Sequence, residues 1–519
     1  MQNGRNETDA GFVRSRIDGY GRRDLMKMGA GVALTAWNAP SSAAQIPDSR
    51  AAVATRSGWK NDAGRASGNG TMDDTTRQIV RYVRSFPEAN LTGSLAEALG
   101  DTLVDAIGCI VSGFESEPAR ICARMARMTQ STLQSTVLGY GITTSPELAA
   151  FANGCMLRHA DFNDLGPGGH LSDILSGIFA VGEAFHSSGP QVLAAVALGY
   201  EIAGSLAAAL SKGDQGWDGP FEGPATAMAA GKLMGLNEDQ LANALSLTLV
   251  PHMPMKVSHA GALSHWKGCH SSESVRCAVW ATLLAREGMT GPAQPFEGRQ
   301  GLWDHIGRFN ELHLPAAGPD RRMIVERMNC KRFPSEGSTQ SILELIPQIR
   351  AWVKADDIAS IYVQLPHDGW LETADPPKWD PRNRETADHS MPYVIAVALI
   401  DGDVYLDSFT QKRIQDPAVR RLMEKITVAA DSNLTYQGAA RLTISNKMGG
   451  ELVKETSVHL ETPMTHQEIV AKFNRVCAFM SVSDEQRDSA RATWSNLLPV
   501  RDIAEPIRAL AHFGRPLPL

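Results

Sequence analysis

Three observations predict a mainly α protein with a large all-α helical domain and a smaller α/β (α+β) domain. Apolar residues recur at helical spacing from about residue 73 to 310, short β-branched segments follow Leu314, and helical spacing returns from Thr465. The chain is 519 residues long, which suits several domains. Hydrophobic residues make up 43% and charged residues 21% of it, unlike disordered, collagen-like or disulfide-stapled chains. The formal charge is -7, and no long basic run occurs beyond the N-terminus, so nothing advertises nucleic-acid binding. A small acidic substrate would need a locally positive pocket.

The N-terminus reads as an address. Six basic residues lie between Met1 and Lys27, Met28 to Trp37 is apolar, and Ser42-Ala43-Ala44 supplies small residues before Gln45. That is signal-peptide order, and Arg22-Arg23 followed by Asp24-Leu25-Met26-Lys27 resembles the twin-arginine signature, which implies export to the periplasm. Residues 45–72 are rich in Gly, Ser, Asn and Ala and read as a linker.

The folded body is expected from Asp73. Ser94 and Glu97 suggest a capping box, and Leu95, Leu99, Leu103, Ile107 and Val111 form a stripe that Gly113 stops. Ser145-Pro146-Glu147 opens a helix through Phe151 and Met156, and Asn237 caps another through Leu241, Leu245 and Leu249. Val192 to Leu210 is apolar but rich in Ala and Gly and contains Glu201, which favours a buried helix over a membrane span. His270 to Arg286 completes the set before Gly288. Strands are expected over Ile358–Leu365, Lys425–Ala429, Arg441–Ser445 and Thr456–Leu460, with helices over Gln340–Val353 and Met391–Leu399. The tail from Thr465 is helical, with Ser483-Asp484-Glu485 as one start. The divisions are 1–44 export signal, 45–72 linker, 73–312 helical domain completed by 465–519, and 313–464 α/β domain.

Four polar clusters are candidates for chemistry. His159-Ala160-Asp161-Phe162-Asn163-Asp164, a glycine-rich loop and His170-Leu171-Ser172-Asp173 bring imidazoles near carboxylates, whose pKa values can be pushed apart to give an acid and a base. The same pattern also suits a solvated helix end followed by an N-cap at Ser172. In the second cluster, Ser258 to His270, Lys267 precedes a helix N-terminus, where anions bind. His252, His259, His265 and His270 fall at intervals of seven, six and five, which match no helical ligand spacing. They read as substrate-facing or core histidines, with no metal. Lys331-Arg332-Phe333-Pro334-Ser335-Glu336 with Gln340 suits gripping a carboxylate or a solvated turn, and Ser390 in Asp388-His389-Ser390-Met391-Pro392-Tyr393 suits a cap. The seven cysteines are scattered with no C-x-x-C pair, so they read as buried free thiols.

These clusters, with Glu287-Gly288-Met289-Thr290-Gly291-Pro292 and Glu385-Thr386-Ala387 ahead of Asp388, occur in the order in which the MmgE/PrpD family carries similar blocks. The chain resembles that family from about residue 75 to 500. The resemblance implies a helical domain, a smaller lid domain, a homodimer and cofactor-free chemistry on small di- or tricarboxylates. Members dehydrate 2-methylcitrate, decarboxylate cis-aconitate or epimerise iminodisuccinate. Carried over by position, it places Asp161, His170, Lys267 and Tyr393 in catalysis. It places Asn163, Asp164, Ser172, His259 and Trp266 around the substrate, along with Lys331, Arg332, Glu336, Gln340 and Ser390. Lys267, Lys331 and Arg332 would stabilise charge that builds on a substrate carboxylate. His170 or Asp161 would move the proton, and Tyr393 or the other member of that pair would protonate the leaving group.

The sequence departs from the family pattern at Leu165, in the short loop Gly166 to Gly169, at Leu171, and at His259, where Arg is common. Glu336 and Gln340 match the dehydratase-like branch. The expectation is therefore elimination of water from a small hydroxy di- or tricarboxylate. Decarboxylation or epimerisation on the same scaffold and a silent exported carboxylate-binding protein stand as alternatives.

Overall fold

Ser94 does not cap the second helix. Gly93, at φ +63, precedes that helix, and the Ser94 hydroxyl instead donates to Glu326 Oε1 at 2.8 Å, tying the helix start to a segment 232 residues away. The computed structural model describes residues 71–519 apart from 89–90, 92, 211–215, 307–311, 316–321, 436–437, 457–462 and 515–518. The export signature and the linker up to residue 70 lie outside the described residues.

The described body is mainly α with a small mixed four-stranded sheet. Among the described residues, its N-terminal part holds nine longer helices: α1 (Asp74–Ser85), α2 (Ser94–Gly113), α3 (Glu117–Ala126), α4 (Pro146–His159), α5 (Leu175–Ala184), α6 (Gly189–Ala209), α7 (Glu222–Leu233), α8 (Glu238–Leu249) and α9 (His270–Arg286). Asn237 caps α8, its side chain accepting from Gln240 N–H at 2.9 Å while Gln240 reciprocates. α6 is long and apolar enough to cross a membrane, yet most of it is buried inside the protein. Its Glu201 accepts the Ile324 N–H at 2.9 Å. Small residues let these helices touch backbone to backbone. A Cβ on Gly113 would lie 2.1 Å from the Met156 carbonyl of α4, and one on Gly189 would lie 1.7 Å from the Leu497 carbonyl.

Two short ladders punctuate the helices. β1 (Ser135–Val137) pairs with β2 (Ile142–Thr144), and β3 (Asp164–Leu165) pairs antiparallel with β4 (Asn329–Cys330). The larger sheet runs in the order β6-β5-β7-β8, from β5 (Ile358–Leu365), β6 (Ile426–Ala430), β7 (Ala440–Asn446) and β8 (Glu451–Thr456). β5 and β6 are parallel and the other neighbours antiparallel. β8 was not expected from the sequence, because Glu451, Lys454 and Glu455 interrupt the apolar pattern of an exposed edge, and the strand expected over Thr456–Leu460 shares only Thr456 with the described residues. Residues 457–460 lie outside the described residues.

Two hydrophobic cores result. One draws on residues 79–330, on Tyr405 and Leu406, and on the tail from Ile469 to Phe513; the other draws on 342–444. The tail helix His466–Phe479 packs on α2, where a Cβ on Gly108 would approach the Phe473 ring to 3.2 Å.

Gly113→Ala should destabilise the protein by about 1–3 kcal/mol in urea unfolding, because the methyl must displace the α4 backbone. A change within about 0.5 kcal/mol would mean that this close approach is unimportant.

Candidate active site

Arg158 lies at the C-terminal end of α4, and Asp161 follows in the left-handed region at φ +50. Such a backbone is unfavourable for a residue other than glycine and persists only when its surroundings hold it. Here Arg158 pairs with Asp161 Oδ1, and Lys331 Nζ lies 3.1 Å from the same oxygen. Lys331 also donates to the carbonyls of Asp161 and Ser335 at 3.2 and 3.1 Å. The β3–β4 ladder explains the meeting: it sets Asp164 opposite Cys330, so Lys331 emerges beside Asp161.

His170 closes the same turn. Its Nδ1 meets the Asp164 carbonyl, which only accepts, so Nδ1 carries the proton and Nε2 keeps its lone pair 3.8 Å from Asp161 Oδ1. Asp164 is held by Ser172 N–H at 3.0 Å and by the hydroxyls of Ser172 and Tyr200 at 2.6 and 2.9 Å. Asn163 donates to Ser172 Oγ and Asp173 Oδ1, both at 2.9 Å.

A second set of contacts brings the 259–267 segment to residues 375–389. Leu263 N–H donates to Thr386 Oγ1 at 3.0 Å, Asn383 donates to the Leu263 carbonyl at 2.7 Å, and Lys378 donates to the Gly261 carbonyl at 2.8 Å. Lys267 consequently meets Asp388 at 2.8 Å with both side chains fully buried, and Asp388 Oδ1 lies 2.7 Å from His389 Nδ1. The His389 ring stacks on His259 with centroids 5.3 Å apart, and His259 Nδ1 is hydrogen-bonded to Asp218.

These groups surround a cavity of about 510 Å³ whose wall includes Arg158, Asp161, His170, His259, Glu336 and His389. Burial alone would raise the Asp161 pKa, but Arg158 and Lys331 pull it well below the usual carboxylate range, so it is ionised. Burial, then Arg158 and Lys331, push His170 well below the usual histidine value, and burial takes His389 down to about 3. Glu336 moves the other way, to about 7, through burial and the nearby Glu372. The cavity therefore combines neutral imidazoles with a carboxyl group that holds its proton near neutral pH.

Comparison with known proteins finds the MmgE/PrpD N-terminal domain over residues 77–314 and the MmgE/PrpD C-terminal domain over 333–496. The chain belongs to the MmgE/PrpD family. It is 24% identical over 439 residues to cis-aconitate decarboxylase of Homo sapiens, covering 78% of this chain and 87% of that protein. It is 28% identical over 433 residues to 2-methylcitrate dehydratase of Cupriavidus necator, covering 76% and 86%. The 2-methylcitrate dehydratase of Salmonella typhimurium is 26% identical over 423 residues, covering 76% and 86%.

In this MmgE/PrpD chain, Asp161, His170, His259 and Glu336 line the cavity, and Lys331 stands behind Asp161. Lys267 reaches the cavity only through Asp388 and His389. Several other expected site residues lie elsewhere. Tyr393 is buried in the second core, where its hydroxyl donates to the Ser408 carbonyl at 2.5 Å. Arg332 turns outward to Glu344 and Glu468 at 3.1 and 2.6 Å. Trp266 is half exposed beside Phe151. Gln340 accepts the N–H groups of Arg332 and Phe333, and Ser390 caps its helix and donates to the Lys378 carbonyl. Asn163, Asp164 and Ser172 form the support under His170 rather than the wall.

Arg158 and Asp218 reach the wall without having been singled out from the sequence, and from the fourth cluster it is His389, not Ser390 or Tyr393, that does so. Arg158 offered one signal, a position three residues before Asp161. Asp218 offered none, because its partner His259 is 41 residues away.

Lys267→Met should cost about 3–5 kcal/mol in urea unfolding by leaving Asp388 buried without a counter-charge. A loss below about 1 kcal/mol would show that the pair does not hold this wall together.

Proposed function

We propose that the protein is a lyase that eliminates water from a small hydroxy di- or tricarboxylate by general acid–base catalysis. The observation that carries this reading is the opposed protonation of two groups on one cavity wall: His170, neutral with a free Nε2, and Glu336, a carboxyl that keeps its proton near pH 7. Elimination needs both, a base for the proton next to a carboxylate and an acid for the departing hydroxide.

His170 Nε2 takes the proton. Asp161, ionised and held by Arg158 and Lys331, faces the imidazolium that forms and stabilises it. Asp161 is too acidic in this setting to be the proton's main acceptor. Glu336 gives its proton to the leaving hydroxide, the role considered for Tyr393, whose hydroxyl is engaged in the second core. A bound polyanion would raise both pKa values, favouring proton uptake by His170 and keeping Glu336 protonated until transfer. Arg158 on the wall receives a substrate carboxylate.

Decarboxylation is the second reading, favoured by the similarity to cis-aconitate decarboxylases. Proton NMR of reactions with hydroxy tricarboxylates and with their dehydrated counterparts in deuterated water separates the two. Elimination should give a new vinyl signal from the hydroxy acid. Loss of carbon dioxide from the unsaturated acid with no turnover of the hydroxy acid would overturn the dehydratase assignment.

The pH dependence follows from Glu336, which faces Glu372, Lys331 and Asp161. Its proton must be present, so kcat/KM should fall as pH rises through about 7. Glu336→Gln should lower kcat by about 100-fold or more and remove that alkaline limb. An unchanged limb in the variant would exclude Glu336 as the acid.

A further inference from the structure

Three segments bring Asp218, His259 and His270 together, the first two on the cavity wall. The turn carrying Asp218 is pinned to residues 254–256, with Asp218 N–H donating to the Pro254 carbonyl at 3.0 Å and Lys256 N–H to the Gly216 carbonyl at 2.7 Å. The Asp218 carboxylate meets His259 Nδ1, lies 3.4 Å from His270 Nε2 and accepts from Ser258 Oγ at 3.1 Å. One donor atom from each of Asp218, His259 and His270 lies within 4.8 Å of the others.

The histidines are only 8% and 6% exposed, yet His259 Nε2 and both nitrogens of His270 have no hydrogen-bond partner. A buried polar group left in that state costs about 1–3 kcal/mol. Asp173 Oδ2 and Glu222 Oε2, also buried, lack a hydrogen bond too, although Arg158 Nε lies 3.5 Å from Asp173 Oδ2. Burial pushes the Asp173 and Glu222 carboxyls up, whereas Asp218 is held down first by His259 and His270 and then by Arg158. The corner is rich in nitrogen and oxygen donors.

We propose that Asp218, His259 and His270 bind a divalent first-row transition metal, with Zn²⁺ as the ion the donor set suits best. Two imidazoles and one carboxylate with further positions open is a common zinc arrangement. The ion would replace the proton shared by Asp218 and His259. Because those two side chains line the cavity, the ion is reachable from it, and its charge faces whatever anion the cavity holds. Two other groupings are weaker. In His252, Glu273 and Cys277, Arg276 already holds Glu273 through two contacts of 2.6 Å. In Asp161, Asp388 and His389, the carboxylates are already neutralised by Arg158, Lys331 and Lys267.

The site goes beyond the lyase reading and is tested without turnover. Calorimetric titration of untagged, chelator-stripped full-length protein with Zn²⁺ should show one ion per chain. Asp218→Asn and His270→Phe should each weaken binding by about 100-fold or more, and His252→Ala should leave it unchanged. X-ray absorption of the zinc-loaded wild type, which needs no variant to fold, should show two imidazole ligands. No binding to the wild type, unchanged affinity in both variants, loss of binding in His252→Ala, or fewer than two imidazoles would overturn the assignment.

Discussion

The buried ion cluster of Arg158, Asp161 and Lys331 is the constraint on which the site depends. An ionised carboxylate out of water is costly unless cations and hydrogen bonds surround it. Asp161 meets that requirement with one cation from the end of α4 and one from the far side of the β3–β4 ladder. The same two cations stabilise a backbone at φ +50 that would otherwise relax, and they hold down the basicity of His170. Position and strain thus share a cause, and burial together with those cations sets the protonation.

That arrangement also explains why the acid and the base come from different segments. His170 follows a glycine-rich loop just after Asp161, whereas Glu336 lies five residues beyond Lys331. Its N–H donates to the Asp388 carbonyl at 3.0 Å, and its carboxylate accepts the Ser338 N–H at 2.7 Å. The base is embedded among cations and the acid among carboxylates, and burial amplifies both effects. The pocket is therefore less positive than the sequence predicts. Lys267 and Lys331 serve carboxylates of the protein, and Arg332 serves the surface.

Local chemistry was legible in the sequence where it is decided locally. The helix His270–Arg286, the strand Ile358–Leu365 and the cap at Asn237 rest on periodicity, β-branching and short-range hydrogen bonds, and all three occur as expected. Asp161 and His170 stood out because loop glycines and polar residues cluster around them, and both reach the cavity. Ser94 failed as a cap because Glu326, far along the chain, competes for its hydroxyl. Tyr393 sits on a helix whose whole circumference is buried, so spacing carried no information about which way its ring points. The histidines from 252 to 270 could not be sorted by spacing alone, since the carboxylate that joins His259 and His270 comes from residue 218.

The most direct test of this account is the protonation of His170 in the free protein, followed by ¹H–¹⁵N NMR of labelled imidazoles against pH. The account predicts a neutral ring with its proton on Nδ1 at neutral pH, a midpoint well below the ordinary histidine value of about 6.5, and a changed titration in Lys331→Met. Titration near the ordinary midpoint, or a proton resident on Nε2, would contradict the claim that the buried cluster around Asp161 sets the chemistry of this site.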